Sequence, residues 1–170
     1  MILYINWCVL LQKFYINILT SLRILFGILF IYFTLIDYNI GYLLFIFILT
    51  ALSDYFDGKL ARKYNLDTYY GAKLDVICDF IFIVFSTVAV ILMDLIPFWF
   101  IFVIILKLIE FFITSPSNDF YYETWGHIVA LMFYAYPIVA LLIHVESINT
   151  ALAVFITVCA LTSSVLRIKE

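Results

Sequence analysis

The sequence predicts an all-α polytopic membrane protein, six transmembrane helices behind a short N-terminal interfacial helix, and three observations predict it. The 170-residue chain is 67% hydrophobic and 12% charged, whereas soluble domains run near ~45–50% apolar and ~25% charged. Short polar turns divide it into apolar runs close to the ~20 residues that one helix needs to cross a bilayer. Four carboxylates, Asp54, Asp57, Asp75 and Asp79, stand in two of those runs, where an ionisable group is costly and marks a functional site by default. Six spans of this length leave no room for a soluble domain, so residues 1–170 read as a single membrane domain. The formal net charge of -3 argues against nucleic-acid binding, which takes a basic face.

Residues 1–15 are apolar and aromatic, interrupted by Asn6, Gln12 and Lys13. That composition suits an interfacial helix with Trp7 at headgroup level. With no basic leader and no small-residue cleavage site, no cleavable signal peptide is expected. The six spans together take residues 17–166, the first of them 17–35, with Thr20 and Arg23 near its start. Arg23 lies about 9 Å inside that span at ~1.5 Å rise per residue, so it either snorkels to the interface or serves a site. The second span begins near Gly41 and runs through the charged sequence to Lys63, and Asn65 to Thr68 form a polar turn. The third covers 71–93, and Asp94 and Pro97 mark the next turn. The fourth, 98–114, contains Lys107 and Glu110, an i,i+3 pair able to neutralise itself. A loop from Ser115 to Asp119 precedes the fifth span, 125–144, and the sixth, 149–165. Cys8, Cys78 and Cys159 are isolated in apolar runs and read as small buried hydrophobes. His127 and His144 are lone histidines suited to hydrogen bonding at the interface.

Basic residues set the orientation. Lys13, then Lys59, Arg62, Lys63 and Lys73, then Arg167 and Lys169 fall on one side of the six-span layout. The turns near Asp37, Asp94 and Glu146 on the other side carry none, and neither does the loop after Thr114. The expectation is a multi-pass protein of the cell membrane with both termini and the charged turn facing the cytoplasm.

Asp54, Asp57, Gly58 and Ala61 have offsets 0, 3, 4 and 7, and Gly71, Asp75 and Asp79 have offsets 0, 4 and 8; each set is one helix face. If the two helices fold back around Leu66 and Asp67, Asp54 comes level with Asp79 and Asp57 nearly level with Asp75. Carboxylates converging in low dielectric repel one another, and divalent cations resolve the conflict. An all-oxygen site suits Mg²⁺ or Mn²⁺ better than Zn²⁺. Gly58, Ala61 and Gly71 either admit close helix packing or leave room for a ligand. Metal beside a cytoplasmic membrane boundary fits a substrate with a diphosphate head and a lipid tail, and a carboxylate not needed for metal can deprotonate an attacking hydroxyl. A divalent-cation carrier is the rival reading, but the sequence beyond Asp54 and Asp79 is apolar save for Thr50, Ser86 and Thr87. A site open to one side only favours an enzyme.

With every spacing intact, Asp54-x-x-Asp57-Gly58-x-x-Ala61-Arg62, eight residues, then Gly71-x-x-x-Asp75-x-x-x-Asp79 resembles the signature of the CDP-alcohol phosphotransferases, also called CDP-alcohol phosphatidyltransferases. The resemblance implies transfer of a phosphatidyl-type group from a CDP-linked lipid to a small alcohol with release of CMP. It implies two Mg²⁺ or Mn²⁺ ions and a homodimer among membrane lipids. By position, Asp54, Asp57 and Asp75 resemble metal ligands, and Asp79 resembles the general base and a second-metal ligand. Gly58, Ala61, Arg62 and Gly71, with Asp54, match positions that hold the CDP-lipid. Asn17-x-x-Thr20-x-x-Arg23 resembles the first span of phosphatidylglycerophosphate synthases, which implies glycerol 3-phosphate as acceptor. The segment from Glu123 to His127 lacks the lysine often seen there, leaving Arg23, Lys73, Lys107 or His127 to meet an acceptor phosphate. Serine, inositol or its phosphate, another alcohol, and an ether-lipid donor stay open.

Overall fold

A computed structural model describes residues 21–36, 38–63, 69–114 and 124–169, except the side chains of 57–58, 60–63, 69–72, 124 and 167–169. Every regular element among the described residues is a helix: α1 (Ser21–Leu35), α2 (Ile40–Lys63), α3 (Tyr69–Ile91), α4 (Phe100–Thr114), α5 (Thr124–Ile143) and α6 (Glu146–Lys169). The chain is an all-α membrane protein, with helix bounds close to those read from the sequence. The interfacial helix expected over 1–15 and the loop expected over 115–119 lie outside the described residues.

Helix is the form such a sequence takes, because hydrocarbon offers no partner for backbone N–H and C=O groups and a helix satisfies them internally. Side-chain hydroxyls obey the same constraint. Thr34, Thr50, Ser86 and Thr157 each donate to the carbonyl four residues earlier, at 2.7–2.9 Å. The turns end the helices by specific devices. The Asn39 side chain accepts the Gly41 N–H at 2.9 Å, an N-cap for α2. Asp94 and His144 take left-handed conformations (φ 58° and 50°) just beyond α3 and α5, as residues closing a helix C-terminus often do.

α3, α5 and α6 are each long and apolar enough to cross a membrane. The apolar part of α2 is shorter, Ile40–Phe56, because its last turns carry the charged sequence. α5 packs against α2, α3 and α6, and α4 packs against α3 and α6. α1 lies on α3: a Cβ at Gly27 would come 2.7 Å from the Phe85 ring, so glycine permits that approach. Phe30, Phe82, Phe100, Ile104 and Phe133 are fully or almost fully buried at the centre. Outward residues such as Ile28, Phe45, Leu106, Leu131 and Leu161 are exposed; spread round every side of the bundle, they form a lipid-facing surface.

Two polar bridges hold the core helices. Tyr136 donates to the Asn149 carbonyl at 2.7 Å and the Asn149 amide donates to the Ala140 carbonyl at 3.1 Å, tying α5 to α6. Lys107 lies 3.3 Å from Glu110 and donates to Ser163 Oγ at 3.3 Å, while Ser164 donates to Glu110 at 2.6 Å. The pair therefore neutralises itself, as its spacing suggested, and also joins α4 to α6. Cys78 is buried and Cys159 half-buried, and Cys8 lies outside the described residues.

Candidate active site

α1 presents one buried stripe, Arg23, Gly27, Phe30 and Thr34, at the i, i+4, i+7, i+11 spacing of a single helix face. α2 brings Asp54, and α3 brings Asp75 and Asp79, one turn apart. Asp54 stands nine residues before the end of α2 and Asp79 ten after the start of α3, which puts both about 14–15 Å from the turn at ~1.5 Å per residue. One carboxylate oxygen from each of Asp54, Asp75 and Asp79 lies within 4.8 Å of the others. The depth pairing of Asp54 with Asp79 is thus a feature of the fold. Asp57, Gly58, Ala61 and Arg62 lie on α2 and Gly71 on α3, with side chains outside the described residues.

Arg23 fills the middle of this cluster. Its Nη1 contacts Asp79 Oδ1, which accepts its hydrogen bond, and lies 2.7 Å from Asp75 Oδ1; Nη2 lies 3.0 Å from Asp54 Oδ1. The arginine side chain is 0% exposed, while Asp54, Asp75 and Asp79 are 52%, 39% and 33% exposed. Snorkelling does not describe Arg23: it turns inward, and a guanidinium so buried needs its carboxylates. Exposure falls from Asp54 through Asp75 to Asp79, so the cluster is open on the Asp54 side and closed by arginine on the other.

Below Asp79 the site has an aromatic floor. Phe82, one turn on, lies 5.4 Å from the Tyr134 ring, and Phe47 lies 4.8 Å from it. The Tyr134 hydroxyl is buried there without a hydrogen-bond partner among the described residues, within electrostatic range of Asp79 and Asp54. Sequence reasoning missed Tyr134, because in an apolar run it looks no different from Tyr136, which ties α5 to α6. An apolar groove of about 300 Å³ runs between α1 and α2, lined by Phe26 and Phe33 on one side and Tyr42, Phe45, Ile46 and Leu49 on the other. Phe26 is one turn from Arg23, so the groove begins next to the cluster.

Lys73 is half-buried on α3 two residues before Asp75, a spacing that points side chains to different faces. His127 is exposed in the first turns of α5, on the Tyr134 face and about 10 Å nearer the helix start by ~1.5 Å rise. Lys107 is committed to the α4–α6 bridge. His144 lies at the opposite end of α5, 3.5 Å from the Tyr38 hydroxyl.

The donor set fits a divalent cation. Carboxylate oxygens are the ligands Mg²⁺ and Mn²⁺ prefer, at about 2.0–2.1 Å for Mg²⁺. The guanidinium bridging the same oxygens shows that they already converge on positive charge.

Comparison with known proteins agrees with the motif. Over 46 residues the chain is 52% identical to the CDP-diacylglycerol--glycerol-3-phosphate 3-phosphatidyltransferase of Wigglesworthia glossinidia brevipalpis, covering 27% of this chain and 25% of that one. It is 38% identical over 78 residues to the protein of the same name from Cereibacter sphaeroides, covering 44% and 35%. It is 36% identical over 59 residues to the cardiolipin synthase (CMP-forming) of Streptomyces coelicolor, covering 35% and 27%. The aligned parts thus span about a quarter to a third of those relatives' lengths. The family model for CDP-alcohol phosphatidyltransferase matches residues 15–162. The chain belongs to the CDP-alcohol phosphatidyltransferase family.

Proposed function

We propose that this protein transfers a phosphatidyl group from a CDP-linked lipid to the hydroxyl of a small alcohol, glycerol 3-phosphate by preference, releasing CMP. The observation that carries the reading is the convergence of Asp54, Asp75 and Asp79 at the family's motif positions. Asp54, Asp57 and Asp75 would hold Mg²⁺ or Mn²⁺, with Asp79 beside a second ion. When bound, the metal neutralises the diphosphate and stabilises charge on the departing CMP. Asp79 takes the acceptor's hydroxyl proton. The freed oxygen forms a bond to the lipid-side phosphorus as the bond from that phosphorus to CMP breaks. Gly58, Ala61, Arg62 and Gly71 would hold the cytidine diphosphate part, and the groove beside Arg23 would take an acyl chain. The names of the relatives support glycerol 3-phosphate, and a phosphorylated acceptor would draw on Lys73 or His127 at the mouth.

The structure disfavours a cation carrier. Thr50 and Ser86, beyond the cluster, spend their hydroxyls on their own helices, and among the described residues the floor is aromatic. We further propose one membrane domain over the whole chain, a homodimer, and a cell-membrane location with the site and both termini on the cytoplasmic side. The test is CMP release from a CDP-lipid with a panel of alcohols. Release with glycerol 3-phosphate alone supports the full reading, release with serine or inositol replaces only the acceptor, and no release with any alcohol sinks the activity.

A further inference from the structure

Arg23 and a divalent cation need the same oxygens. Nη1 bridges Oδ1 of Asp75 and Oδ1 of Asp79, while Nη2 takes Oδ1 of Asp54. An ion ligated by these oxygens at about 2.0–2.1 Å would lie within ångströms of Nη1, and like charges at that distance repel strongly in a site of low dielectric. Among the described residues one guanidinium faces three carboxylates, so it does not neutralise them all and the cluster still attracts a divalent ion. α1 is held against α3 at Gly27, so the side chain, not the helix, is the part free to yield.

We propose that Arg23 is a built-in counter-cation that competes with the divalent metal for the Asp54–Asp75–Asp79 cluster and must move aside for metal to bind. The proposal rests on the metal-site reading above. Arg23 thereby lowers metal affinity while holding together a cluster that would otherwise repel itself. Moved toward the exposed Asp54 side, the guanidinium stays close enough to balance the charge that the ion leaves over.

The test measures Mn²⁺ binding by electron paramagnetic resonance, and thermal melting, on detergent-purified full-length wild type, Arg23→Gln and Arg23→Lys, with Asp75→Ala as control. In EDTA, Arg23→Gln is expected to melt below wild type. It should bind Mn²⁺ roughly tenfold tighter, within the usual range of coupled sites, and gain more melting temperature from Mn²⁺ than wild type does. Arg23→Lys, which keeps the charge but not the fork, should shift affinity the same way by less, and it carries the test if Arg23→Gln does not fold. Equal or weaker Mn²⁺ binding by the folded variants, with wild-type binding abolished in Asp75→Ala, would overturn the competition and leave the metal site standing. Absence of Mn²⁺ binding in wild type and variants alike would overturn the metal site itself.

Discussion

Asp79 differs from Asp54 and Asp75 in being the least exposed, held against Arg23 one turn before Phe82. A carboxylate there is shielded from water yet reached from the open side, as a proton acceptor should be. Asp79→Asn is expected to fold and still bind CDP-lipid in the presence of metal, but to lose turnover by about 10²-fold or more; CMP release near the wild-type rate would refute the base assignment. Tyr134 offers a contrasting test. Its buried hydroxyl has no partner among the described residues, so Tyr134→Phe should leave melting unchanged or raise stability by about 1 kcal/mol. A marked drop in melting temperature would mean that the hydroxyl is satisfied by a group outside the described residues. The acids were legible in the sequence because helical offsets and rise are fixed quantities. Arg23 was ambiguous because its partners are 31 to 56 positions away, and no local period reports such a contact.

Helices meet here through small residues and through polar pairs, and the two kinds of contact respond differently to substitution. At Gly27 the neighbour is the Phe85 ring, with the Phe85 Cβ only 3.2 Å from the added atom. Gly27→Val should push α1 off α3, draw Arg23 from its carboxylates and cost about 1–3 kcal/mol, read as a lower melting temperature. Gly27 carried no signal alone; the stripe Arg23, Gly27, Phe30 and Thr34 did, though in a span apolar on all sides it did not stand out. The α4–α6 bridge behaves oppositely. Lys107→Met leaves the part-buried Glu110 without its cation and should destabilise by about 1–2 kcal/mol. Lys107→Met with Glu110→Leu should recover most of that loss, since apolar replacement of both members of a part-buried pair removes the unpaired charge as well. A double variant no better than the single one would show that Ser163 and Ser164, not the ion pair, hold the bridge. The helix bounds themselves were readable because Asn39, Asp94 and the turn before Glu146 interrupt otherwise unbroken hydrocarbon.

For the whole molecule, basic residues cluster at the site end and are lacking at the Asp94 and Glu146 turns. Ser147, exposed in the first turn of α6, lies at the far end. In a background with the native cysteines replaced, Ser147→Cys should react with a membrane-impermeant maleimide added to intact cells; labelling only after lysis would invert the proposed orientation. The groove between α1 and α2 bears on kinetics at the same scale. Its rims, Tyr42 and Phe45, are exposed on the outside of the bundle, and in the proposed orientation the carboxylates open toward the membrane boundary. Donor and acceptor would therefore arrive from different phases, one by diffusion in two dimensions and the other in three. The effective concentration of the donor is then its mole fraction in the bilayer. Adding inert lipid at constant total donor should slow the reaction, whereas adding buffer at constant acceptor molarity should leave the rate per protein molecule unchanged.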